Sequence, residues 1–158
     1  LTAGPVRGLD DPGQGVAMGA HMGIGGALDD VPILVFGSHL QGRFTGHHQE
    51  LSFGADVLGG LSLGYVAPVT RAGWNLAPLL RHDDRFGFSP IGGFAEGGLL
   101  LCTEDCLSAP PGREGNHLSL LVGVDSRLMI TGPDFRASQA SFAYVTLGFG
   151  FFASPKMF

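Results

Sequence analysis

Charge is scarce in this 158-residue chain: Asp, Glu, Lys and Arg together make up 15% of it, against roughly 25% in ordinary soluble domains. Lysine is nearly missing, with Lys156 standing alone beside eight arginines. Those arginines are scattered, and the formal net charge is −5, so no basic stripe exists and nucleic acid is not a partner the sequence supports. Long apolar runs are lacking too. The best, "VPILVFG" and "LSLLVGV", are strand-sized and fall far short of the ~20 residues a membrane helix needs. No stretch has a helical period, and none reads as a secretion leader. Because the chain opens on Leu1 and not Met, the expectation is a mature product whose signal peptide has been removed.

Cysteine is limited to Cys102 and Cys106 in "CTEDC". A disulfide closing a small loop is the expected use, which implies an oxidising compartment such as the periplasm or cell surface. Two thiols without a nearby His make a poor zinc set, and free thiols remain the third option. No cofactor is expected.

What the chain has in abundance is glycine, 27 residues with no collagen period, and a positive mean hydropathy of +0.25. It also alternates. In "LSFGADVLGGLSLGY", Leu51, Phe53, Ala55, Val57, Leu61, Leu63 and Tyr65 hold one parity, while Ser52, Gly54, Asp56, Gly60, Ser62 and Gly64 hold the other. Alternate residues of a strand point to opposite faces, so one face is greasy and the other small and polar. Seven such candidates follow one another: 15–28, 33–44, 51–66, 73–81, 86–102, 116–130 and 139–152. "APVTRAG" reads as a tight turn before the fourth, and Pro90 predicts a bulge in the fifth. "DD", "PG", "GH" and "GP" signals at short spacing give the grammar of antiparallel hairpins.

The direction of the greasy face decides the class. Ten of the fourteen acids fall in connections, among them Asp10, Asp11, Asp29 and Asp30. Those well inside strands, Asp56, Glu96 and Asp125, include two that share the small, polar parity with Arg43 and Arg127. A face dominated by Gly, Ala and Ser with a few charges of both signs suits a narrow enclosed interior. The opposite face of Leu, Val, Phe and Met suits acyl chains, where Arg or Lys costs about 2–4 kcal/mol near the midplane. Six of the seven candidates reach the ~9–11 residues of a spanning strand. The expectation is therefore an all-β chain: a single antiparallel up-and-down transmembrane β-barrel of about eight strands with a packed interior. Residues 14–158 form the barrel, and 1–13 form a flexible or plug-like N-terminal segment. The eighth strand comes from Leu1–Gly8 or from splitting 51–66 at Gly59-Gly60. A soluble β-sandwich or self-assembling envelope subunit is the alternative, and a lipocalin-like cup a lesser one.

"LSLGYVAPVTRAGWNLAPLL" resembles the strand–turn–strand unit of small outer-membrane β-barrels, the group around OmpA, OmpX and OmpW. Terminal Phe158 resembles the aromatic C-terminal signature of such barrels, with Pro155 and Lys156 departing from its alternation. The resemblance implies the bacterial outer membrane as location and its lipid bilayer as partner. It also implies a structural, adhesion or complex-forming role, with other envelope proteins or copies of itself, and no open pore.

The interior of an eight-stranded barrel is filled by side chains, so its charges must be paired. Arg43, Asp56, Glu96, Asp125 and Arg127 are expected to form an internal polar network with His21, His39, Tyr144 and Thr146 as hydrogen-bond partners. His47, His48 and Glu50 in "TGHHQE" offer metal ligands, but neighbours on a strand point apart, so a solvated loop is expected and no metal site. His117 and Ser119 in "NHLS" pair a base with a hydroxyl. The H-x-S spacing resembles the active strand of outer-membrane lipid A deacylases, although Leu120 stands where that family has Asn and Asp125 is the only acid nearby. That family's site faces lipid, while these two share the interior parity, so the chain is expected not to be an enzyme.

Overall fold

In the computed structural model, which describes residues 1–9, 13–27, 32–106 and 114–153, eight antiparallel strands close into one ring in chain order. They are β1 (Thr2–Gly8), β2 (Gln14–Ala27), β3 (Pro32–Thr45), β4 (His48–Leu61), β5 (Val66–His82), β6 (Arg85–Cys102), β7 (Glu114–Thr131) and β8 (Arg136–Ala153). This is the fold of a transmembrane β-barrel. The ring leaves no second sheet for the greasy parity to cover, which removes the sandwich, and that parity faces outward, which removes the lipocalin-like cup. Leu118 and Val122 of β7 and Leu147 of β8 are 57%, 58% and 67% exposed on the outer wall. Strands β2 to β8 run 14 to 18 residues, longer than the ~9–11 a spanning strand requires.

Two expectations about the strands are corrected. Thr2–Gly8, assigned to a loose or plug-like segment and also offered as one source of an eighth strand, takes the second role and closes the ring, pairing with β2 on one side and β8 on the other. Its Pro5 is tolerated in a strand only seven residues long. The "APVTRAG" stretch is not a turn but the first half of β5, in register with Gly60–Val57 of β4 and with Leu100–Phe94 of β6. The actual β4–β5 connection is Ser62–Tyr65, so the third candidate ends at Leu61 and not at Val66. Around Pro90 the register shifts between Phe88 and Ile91 of β6, the irregularity its missing N–H predicts. Phe158, Pro155, Lys156, Asp10, Asp11, Asp29 and Asp30 lie outside the described residues.

The interior is layered along the barrel axis. At the end bearing the chain termini, Ile33, Val35, Leu58, Val69, Leu100 and Leu121 form an apolar stopper. The Cys102–Cys106 disulfide folds the start of the β6–β7 connection onto it, with Cys106 fully buried and its N–H bonded to Gly64 O at 2.9 Å. Toward the opposite rim a second apolar group, including Leu80, Met129, Phe142 and Tyr144, lines the other half. Charged side chains are interleaved with this second group: Arg43, Glu50 and Leu80 share a cross-strand row, and Asp125 is opposite Phe142. The opposite rim is formed by short hairpins. In the β5–β6 hairpin Asp83 (φ 46°) and Asp84 (φ 63°) both take left-handed backbone, the geometry of a type I′ turn that matches strand twist.

Candidate functional site

Inward-facing parity on β3, β4, β5 and β7 brings the long polar side chains to the axis. Arg43 donates from Nη1 to Glu50 Oε1 (3.1 Å), and from Nη2 to Asp125 Oδ2 (2.8 Å) and Gln41 Oε1 (2.9 Å). Arg127 donates to Asp125 Oδ1 through Nε (3.0 Å) and Nη2 (2.6 Å), and its Nη1 lies 2.5 Å from Glu50 Oε2. Asn75 Nδ2 completes the cage on Asp125 Oδ2 at 2.9 Å. Two guanidiniums therefore face two carboxylates, all four side chains fully buried. The Phe142 and Tyr144 rings lie 5.3 and 5.5 Å from the Arg43 guanidinium, a cation–π seat for the part of it that makes no hydrogen bond.

A second cluster sits nearer the termini. Asp56 receives His21 Nε2 on Oδ1 and His39 Nδ1 on Oδ2, both at 2.9 Å. Arg71 pairs with Glu96 and lies over the Phe94 ring, which also takes the edge of His39. Small residues make this possible. A Cβ on Gly37 would collide with His21 Nε2, and one on Gly123 would run into the Tyr144 ring and Glu96 Cβ.

Of the residues singled out from sequence, Arg43, Asp125 and Arg127 thus meet in one cluster, His21, His39 and Asp56 in the other, and Glu96 beside it on Arg71. Tyr144 stacks under Arg43, and Thr146 is buried on the inner side of β8. Sequence reasoning missed Glu50, His48, Arg71 and Asn75. The solvated-loop expectation for "TGHHQE" fits only His47, which is exposed and bonded to Asp83 Oδ1 at 3.2 Å. His48 and Glu50 are instead the first inward-facing residues of β4, joined Nε2 to Oε2 at 2.8 Å. His117 and Ser119 also point inward, Ser119 with its backbone opposite Leu100 and Gly148.

Besides the single outward residues Ser38 and Thr70, the outer wall carries a bonded polar cluster that the sequence reading passed over. Ser126 of β7 and Gln139 and Ser141 of β8 share the outward parity with Val124, Leu128, Val145 and Leu147. Ser126 Oγ accepts from Gln139 Nε2 at 2.8 Å and from Ser141 Oγ at 3.3 Å. Beside them Gly93 stands between Trp74 and Ser126 in the cross-strand row, and open space takes the place of a side chain. The result is a shallow cleft of about 380 Å³ bounded by Trp74, Ile91, Leu128, Ser126 and Gln139. Ser126 Oγ accepts in both bonds, so its own proton is used in neither. The available signal was parity: Ser126 is a hydroxyl in phase with Val122, Val124 and Leu128.

No protein-family model and no curated protein matches the chain. Among solved structures it is similar to the outer membrane enzyme PagL, with a TM-score of 0.61 at 12% identity, over 96% of this chain and 97% of that one. At that identity the likeness bears on the fold alone, a small closed barrel, and does not single out the OmpA, OmpX and OmpW group. The expectation that the chain is not an enzyme, drawn from the interior parity of His117 and Ser119, is overturned, because the same barrel fold carries an enzyme in PagL.

Proposed function

We propose that this protein is a bacterial outer-membrane barrel that conducts no solute and takes a membrane lipid at the Trp74–Ser126 cleft of its outer wall. The observation that carries the reading is the Ser126–Gln139–Ser141 trio, bonded side chain to side chain on a wall that is mainly apolar. Polar groups are costly against hydrocarbon unless they are bonded. Here each is bonded to the next, and the Ser126 proton is presented to whatever lies in the cleft. A lipid ester or amide carbonyl is the acceptor that such a donor fits, with its acyl chain along Trp74, Ile91 and Leu128. The buried, paired charges and the two apolar layers support a lumen closed to passage. A sealed barrel also suits structural, adhesive or complex-forming work with envelope proteins or further copies of the chain.

A second reading, acyl transfer or hydrolysis at the same cleft, is favoured by the enzymatic neighbour. In that reading Ser126 hydrogen-bonds the carbonyl oxygen on which charge develops. The test is reconstitution into vesicles containing lipid A. Heat-modifiable migration on a gel and partition into a detergent phase report the folded barrel. Lipid retained on purification and fatty acid released into the medium report the two readings. Ser126→Ala and Gln139→Leu are expected to lower lipid retention, and acyl release as well if turnover occurs, while His117→Ala leaves both unchanged. Retention equal to wild type in both outer-wall variants would remove the cleft from the function.

A further inference from the structure

The rim opposite the termini holds a small cavity whose two histidines neither reading uses. It measures about 70 Å³, and its walls include Thr45, His48, His82, Ser141 and Phe142. His48 and His82 are direct cross-strand partners on β4 and β5, with ring centres 5.6 Å apart. Each imidazole has a carboxylate behind it. His48 Nε2 is held by Glu50 Oε2 at 2.8 Å, and His82 Nε2 faces Asp83 Oδ2 at 3.6 Å. Among the described residues neither Nδ1 atom has a hydrogen-bond partner, although the His48 side chain is only 2% exposed.

A proton on Nε2, directed at the carboxylate, leaves Nδ1 as a lone pair. Two lone pairs on one small cavity call for an electron-pair acceptor, because buried polar atoms are rarely left unmet. The carboxylate bonded to His48 is the arrangement that orients a histidine ligand and makes it a better donor to a metal, while Asp83 lies near His82 beyond hydrogen-bond distance. Two imidazoles on one ion, at bonds of ~2.0–2.1 Å, place their ring centres about 5 Å apart, close to the separation found here. The Phe142 ring, 4.8 Å from that of His48, closes one side, and Thr45 closes another, its Oγ1 accepting the backbone N–H of His48 at 2.9 Å.

We propose that the cavity between His48 and His82 binds one divalent transition-metal ion through the two Nδ1 atoms. Among the described residues no third His, Cys, Asp or Glu completes the set, so water fills the remaining positions. Two imidazoles with water select copper(II) first, then nickel and zinc, and discriminate against magnesium and calcium. The ion enters from the aqueous rim, where the His82 side chain is 25% exposed.

The test is titration of the folded full-length chain in detergent with copper(II) and nickel(II), in imidazole-free buffer, with electron paramagnetic resonance of the copper form. One equivalent per chain is expected, with coupling to two nitrogens. His82→Phe and His48→Gln are each expected to weaken binding at least tenfold, and His47→Gln to leave it unchanged. His82→Phe is the decisive variant, since it removes a ligand without touching the Glu50 cage, and heat-modifiable migration verifies its fold. No stoichiometric binding means that the cavity holds water only, and overturns the proposal. Unchanged affinity in His82→Phe, or loss in His47→Gln, overturns it as well, the latter by moving the ion to the exposed His47–Asp83 pair.

Discussion

Replacing Arg43 by methionine tests whether the barrel interior is held by balanced charge. The Arg43 side chain is fully buried and bonded to Glu50, Asp125 and Gln41. Removing it turns a set of two guanidiniums and two carboxylates into one of one and two. Breaking a buried pair by deleting one partner costs about 3–5 kcal/mol, because the survivor keeps its desolvation cost. Asp125 retains Arg127 and Asn75, and Glu50 retains Arg127 and His48, so the loss belongs at the low end, about 3 kcal/mol. The double variant Arg43→Met/Asp125→Asn restores a one-to-one set of Arg127 and Glu50. It is expected to cost less than the sum of the two single variants by at least ~1 kcal/mol. Urea unfolding from lipid vesicles reads both, through Trp74, the chain's one tryptophan, which lies on the outer wall. An Arg43→Met loss under about 1 kcal/mol, or strict additivity in the double variant, refutes the balanced-cage account.

Two other perturbations probe the wall and the stopper. Val122→Arg puts a guanidinium on the outer face of β7 and is expected to cost about 2–4 kcal/mol in vesicles if that face meets the bilayer midplane; an unchanged unfolding midpoint counts against the membrane orientation. Reducing Cys102–Cys106 frees a five-residue loop and is expected to lower stability by about 2 kcal/mol, seen as a shift of the urea midpoint with reductant.

Much of this architecture was legible in the parity of the strands. β2, β3, β6, β7 and β8 alternate over enough residues that their faces, lengths and hairpins follow from side-chain direction alone. The failures share a cause. In β1 and the first half of β5, Pro5, Pro68, Thr70, Arg71 and Gly73 carry turn chemistry, but the ladder on both sides overrides local preference. Once Ala67–Gly73 was read as a turn, Arg71 had no face, and the partner of Glu96 stayed hidden. His48 and Glu50 were lost because the hairpin turn was drawn a few residues too long. The outer cleft was missed for a different reason. Ser126, Gln139 and Ser141 are in phase with outward-facing residues, and alternation marks polar side chains as functional only on the inner parity. The pairing of particular charges depends on which strands the closed ring sets opposite one another, and no local pattern encodes that.

Closure of the ring rests on its shortest stave. β1 has 7 residues where β7 and β8 have 18 each, and it joins Thr2 to Gly148, positions from opposite ends of the chain. Bringing such distant residues together carries the largest loop-closure entropy in the molecule. The seam therefore zips last during assembly and parts first under load. Exchange of backbone amides along β1 would report the mechanical weak point of a cylinder whose contents are otherwise locked.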